Sequence, residues 1–164
     1  MSPETHAVLL DADDRHSVWQ PSKPNREKAR VRKSEIQAVR DDLERLLGVA
    51  LSLDRSVQDA TYFTALQVFE PGANAAQSWA SGPEGVAVFE VRFSSFGRLT
   101  SALSQDGWLA ARGASLADVA AVLRRYGFRY VGAEELRAPY DGPNHKARNG
   151  DRDLTWWVRY FDYL

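Results

Sequence analysis

The stretch VAVFEVRF, residues 86–93, decides the reading of the fold. Ala87, Phe89, Val91 and Phe93 alternate with Val86, Val88, Glu90 and Arg92. A period of two is the signature of a β-strand. The first set is wholly apolar and belongs on a core. The second mixes valine with a Glu90–Arg92 pair, which reads as a same-face ion pair of small energetic value on an exposed strand face. SSFG (94–97) then reads as a turn and RLTSAL (98–103) as the returning strand of a hairpin.

Upstream, ATYFTALQVFEPG (60–72) reads as a strand ended by Pro71-Gly72. Both of its faces are apolar, Tyr62, Leu66 and Val68 against Phe63, Ala65 and Phe69, which predicts a central position. Two helices flank this pair. In SEIQAVRDDLERLLG (34–48), Ile36, Val39, Leu43, Leu46 and Leu47 form one stripe, Ser34 is a capping residue and Gly48 a stop; the helix can begin earlier, in the preceding basic run. In SLADVAAVLRRYG (115–127), Ser115 and Asp118 have capping-box spacing, Leu116, Val119, Ala120 and Leu123 form the stripe, and Arg124 and Arg125 complement the C-terminal dipole before Gly127. FRYV (128–131) is a short strand, and AEELR (133–137) is one helical turn.

The chain closes on DLTWWVRYFDYL (153–164). Read as a strand, it puts Leu154, Trp156, Val158 and Tyr160 on one face and Thr155, Trp157, Arg159 and Phe161 on the other. The first set is expected to face the helices that carry Leu43 and Leu123. Trp157 and Phe161 would lie on the opposite sheet face and form a docking surface if nothing covers them. Strands and helices do not alternate strictly. The expected fold is therefore α+β: a mixed or mainly antiparallel sheet of about five strands, with two main helices packed on one face. Residues 1–25 contain three prolines and a DADD cluster, and are expected to be a poorly ordered or edge-strand arm; residues 26–164 form the single domain.

Composition narrows the function. The net charge of −1 argues against a dedicated nucleic-acid binder, and the basic segment 22–33 offers no aromatic for base stacking. No cysteine is present, which removes disulfides, thiolate catalysis and Cys-ligated zinc and fits a cytoplasmic protein. No apolar run reaches the roughly 20 residues of a membrane span, and the N-terminus lacks the basic region of a secretory signal. Arginine outnumbers lysine and alanine is abundant, which suggests a GC-rich bacterial source.

No catalytic residue, metal set or cofactor motif emerges. His6, His16 and His145 form no ligand pair, and neither G-x-S-x-G nor a phosphate-cradling glycine loop occurs. The nearest enzymatic constellation is Asp59, Glu70 and Glu90, carboxylates that neighbouring strands would present to a metal in a nuclease-like hydrolase. Against it stands a non-catalytic protein-binding module, of immunity, antitoxin or adaptor type. No basic residue lies between Arg55 and Arg92, whereas Asp59, Glu70, Glu84 and Glu90 do, so this acidic middle suits a basic partner such as a toxin domain. The loop 138–153 adds His145, Lys146 and Arg148 as contact candidates. Trp19, Trp79 and Trp108 fall outside the expected regular elements; Trp79 is the best interface anchor among them, joined by Trp157 and Phe161 at the C-terminus.

Overall fold

The computed structural model describes residues 1–14, 26–54, 63–73, 81–82, 85–94, 96–143 and 154–161. Its elements are helices α1 (Pro3–Asp14) and α2 (Arg26–Leu47), strands β1 (Ser52–Leu53), β2 (Phe63–Glu70), β3 (Ser81–Gly82), β4 (Gly85–Ser94) and β5 (Leu99–Ser104), helix α3 (Leu116–Arg125), strand β6 (Arg129–Tyr130), and helices α4 (Ala133–Leu136) and α5 (Trp156–Phe161). A 3-10 turn, Ala110–Arg112, precedes α3.

The sheet runs β1-β2-β4-β5-β6, with β3 attached to β4. Its long members pair antiparallel, Leu66 opposite Val91 and Val91 opposite Ala102. Among the described strands only β5 and β6 run parallel, which their connection through α3 requires. The α+β class and the mixed sheet stand as the sequence predicts. β2 and β4 are the central pair because both are apolar enough to be covered twice.

One face of the sheet carries α2 and α3. Ile36, Val39, Leu43 and Leu47 meet Val119, Val122 and Leu123 over Leu66, Val68, Phe89, Val91, Phe93 and Ala102. These are the two helices whose stripes the sequence displays. The Ser115–Asp118 capping box forms in both directions. α2 begins at Arg26, so Ser34 lies inside it and does not cap it. At its far end Glu44 accepts from the Leu51 backbone N–H at 2.8 Å and from Arg40 Nε at 2.8 Å, fixing the path into β1. The Leu51 N–H, followed by Arg40, holds the Glu44 carboxyl below its ordinary range.

The other face is covered as well, and this departs from the expected one-sided packing. Leu9 and Ala12 of α1, Leu136 of α4 and Trp156, Tyr160 and Phe161 of α5 form a second cluster with Ala65, Phe96, Leu99, Val131 and Tyr140. Two expectations are corrected here. Within the expected N-terminal arm, residues 3–14 form a helix with Leu9 fully buried, not an edge strand, while residues 15–25 lie outside the described residues. Nor is the C-terminal segment a strand. Residues 156–161 are helical, and the bridge between Pro139 and Thr155 just before them is an isolated one. A short run apolar on every side fits a buried helix as well as a central strand, because periodicity cannot separate the two. Helical geometry brings Trp156 and Tyr160 together, with rings stacked 5.9 Å apart, and Trp157 with Phe161, 5.4 Å apart. All three buried aromatics of α5 thus sit apart from Leu43 and Leu123.

The approach of α1 is close. A Cβ on Gly97, in the turn after β4, would come within 2.6 Å of the Ala12 Cβ, and Gly97 has φ +57°. Gly48 has a similar φ of +67° with open space around it. Both glycines relieve backbone strain, and only Gly97 also makes room for a helix. Replacing Gly48 by Ala is expected to cost about 1 kcal/mol, and Gly97→Ala about 1–3 kcal/mol more. Urea denaturation of the two variants checks this; equal costs would show that α1 does not press on the turn.

Candidate functional site

Glu90 and Arg92 share the sheet face that α5 covers. Arg92 Nε donates to Glu90 Oε1 at 2.6 Å, and Arg92 also donates to the Phe161 carbonyl at the end of α5. Its guanidinium carbon lies 5.0 Å from the centre of the Trp157 ring. The Glu90 side chain is 0% exposed and that of Arg92 11%, so the pair is not the solvated strand-face pair expected from sequence. It is a buried ion pair, which is costly to desolvate and still more costly to break. Gln67 stands opposite Glu90 on β2 and is buried too. Glu90 orients Arg92, and Arg92 steadies the indole of Trp157, which is only partly covered.

Glu70 belongs to a different knot. Its Oε1 accepts from Trp108 Nε1 at 2.8 Å and from Arg112 at 2.7 Å. The Trp108 ring stacks on Phe89 at 5.3 Å, and the Arg112 guanidinium caps it at 3.8 Å. Trp108 therefore plugs the rim of the α2–α3 core. The knot ties the end of β2 to the segment after β5. Glu70 is thus held on the side where Trp108 meets Phe89, and Glu90 on the side of α5; the structure does not bring these two carboxylates together. Asp59 lies outside the described residues. Among the described residues no group of three or more His, Cys, Asp and Glu side chains is placed to hold a metal.

A third polar centre joins the described ends of the chain. Asp13 of α1 is 0% exposed and Arg159 of α5 is 1% exposed. Arg159 donates to Asp13 Oδ1 through Nε at 2.7 Å and through a terminal nitrogen at 2.6 Å, while the Tyr140 hydroxyl donates to Oδ2. The Arg159 guanidinium also lies over Phe96 at 4.5 Å. Beside it the Tyr160 hydroxyl donates to the Leu9 carbonyl at 2.8 Å, and burial first, then the nearby Asp13 charge, pushes its ionisation far above the ordinary range. His6 completes the seam, 2.9 Å from Asp141 and edge-on to Trp156.

Of the sequence-derived contact candidates, Trp79, Glu84, His145, Lys146 and Arg148 lie outside the described residues, as does Trp19. Glu90 and Phe161 are fully buried, which removes both from direct contact with a partner in this conformation. Phe161 is covered because α5 is a helix and turns it inward. Trp157 and Glu70 remain partly exposed, on different centres. Sequence reading passed over Asp13 and Arg159. The available signal was a single arginine set among six aromatic and aliphatic neighbours in LTWWVRYF, since a charge there must be paired if the segment is buried. No protein family, curated protein or solved structure matches the chain.

The three centres differ in how deeply they are buried, and substitutions will expose the difference. Glu90→Gln leaves Arg92 facing a buried neutral amide and is expected to cost about 3 kcal/mol. Glu70→Gln, at a site 38% exposed, is expected to cost under about 1 kcal/mol. Equilibrium urea unfolding measures both; a Glu90→Gln variant as stable as Glu70→Gln would contradict the buried assignment.

Proposed function

We propose that the chain is a small soluble bacterial protein-binding module without catalytic activity, of immunity, antitoxin or adaptor type, and that Trp157 is its contact anchor. The observation that carries this reading is the Glu90–Arg92–Trp157 stack. A partly exposed indole, held in one orientation by a guanidinium that a buried carboxylate fixes in turn, loses little side-chain freedom when a partner covers it. Tryptophan so placed is typical of interface hot spots.

The stack shifts the emphasis from charge to aromatic contact. Of the acidic middle, Glu70 is engaged by Arg112 and Glu90 by Arg92, so neither offers a bare negative charge to a basic partner. The docking chemistry is then an apolar indole with a polar rim. Cytoplasmic residence belongs to the same reading; among the described residues no helix is long and apolar enough to cross a membrane.

The experiment uses the chain as bait in lysate of its host cell, with Trp157→Ala and Leu116→Ala as companions. Leu116 is 41% exposed on α3 and serves as an apolar surface control. A stoichiometric partner retained by the wild type and by Leu116→Ala, and bound at least about 30-fold more weakly by Trp157→Ala, is the expected result. Thermal unfolding of each variant separates lost contact from lost fold. Equal retention by all three chains, or no partner at all, overturns the reading.

A further inference from the structure

The turn between β4 and β5 holds an arginine where its geometry favours glycine. Gly97 and Arg98 both have φ +57°, and the Leu99 N–H donates to the Phe96 carbonyl at 3.2 Å. Positive φ at both central positions matches a type I′ turn, whose second central residue is most favourably glycine. Among the described residues Arg98 is the one non-glycine residue with positive φ. A side chain in that region strains the backbone, and the strain persists only where the surroundings hold it. Glycine would relieve the strain and keep the turn, so what arginine adds at this position is its side chain.

That side chain meets the end of α3. The helix closes with the Gly127 N–H on the Arg124 carbonyl at 2.9 Å and the Phe128 N–H on the Leu123 carbonyl at 3.2 Å, a Schellman arrangement. The Tyr126 and Gly127 carbonyls that follow are taken by Arg98, through a terminal nitrogen and through Nε at 3.1 Å. Its guanidinium carbon lies 4.6 Å from the centre of the Phe128 ring, which meets Phe93 of β4 edge-on at 5.1 Å. The Arg98 backbone carbonyl accepts from the Arg129 N–H at 2.9 Å, where β6 joins β5. Four successive residues, 126–129, thus contact one arginine. Its other terminal nitrogen reaches Glu35 of α2 at 3.0 Å; with the Arg98 side chain 46% exposed, that ion pair contributes little. We infer that Arg98 is a positioning residue, which anchors the junction between α3 and β6 on the β4–β5 turn at the cost of a strained backbone. The junction is where the chain leaves the α2–α3 layer for Val131 and Leu136 of the second cluster. The anchor holds or fails independently of any partner for Trp157.

Amide hydrogen exchange of the full chain tests this at Arg129 and Val131, whose N–H groups bond to the Arg98 and Thr100 carbonyls. Arg98→Gly keeps the turn, relieves its strain and removes the guanidinium. The two amides are expected to exchange about 30-fold faster than in the wild type. Those of Phe89 to Val91 in β4 should rise less, because on global unfolding the relieved strain offsets part of the loss. Arg98→Lys keeps the charge and the strain but lacks the planar fork that serves two carbonyls and a ring at once. It should not rescue the junction, and the same two amides should still exchange at least about 10-fold faster than in the wild type. Wild-type rates at Arg129 and Val131 in either variant overturn the anchor. So does a rise in Arg98→Gly that is equal at the junction and in β4. Should Arg98→Gly fail to fold, the rates in Arg98→Lys decide alone.

Discussion

A central strand buried on both faces has to be covered twice. β4 places Phe89, Val91 and Phe93 in one core and Glu90 beneath the other layer, all at 0% exposure. The first cover, α2 and α3, is contiguous with the sheet in sequence and meets it through an apolar stripe on each helix. The second is assembled from the two ends of the described chain, α1 and α5, with α4 between them in sequence. The buried Asp13–Arg159 pair joins those ends, which are 146 residues apart.

Such a pair is weak evidence for raw stability, because its desolvation offsets much of its attraction. Its effect lies in geometry. Arg159 meets α1 in one defined geometry, with Nε and a terminal nitrogen both on Asp13 Oδ1 and the Tyr140 hydroxyl on Oδ2. With α5 seated, the Phe161 carbonyl receives Arg92, and Arg92 lies against Trp157. The presentation of the surface indole thus follows from a contact made at the opposite end of the chain.

Legibility in the sequence followed the kind of signal each segment carries. α3 was readable to within a residue because its stripe, capping box and terminal glycine agree. β2, β4 and β5 were readable from alternation and from the Pro71-Gly72 stop. α1 was missed because its apolar AVLL is short and its acidic DADD resembles a solvated tail. Asp13 becomes intelligible only when Arg159 is seen beside it. α5 was missed because WWVRYF has the β-branched and aromatic composition of a strand, and tertiary packing overrides that preference. The candidate site was half-legible: Trp157 was singled out, and Glu90 and Arg92 were paired, but their burial depends on a helix that was read as a strand.

Asp13 and Arg159 act as a bonded pair, and a double-mutant cycle measures their coupling directly. Asp13→Asn, Arg159→Met and the combined variant are compared with the wild type by equilibrium denaturation. The expected coupling energy is at least about 2 kcal/mol, with the double variant more stable than the sum of the single losses implies. Additive losses, with coupling near zero, would contradict it.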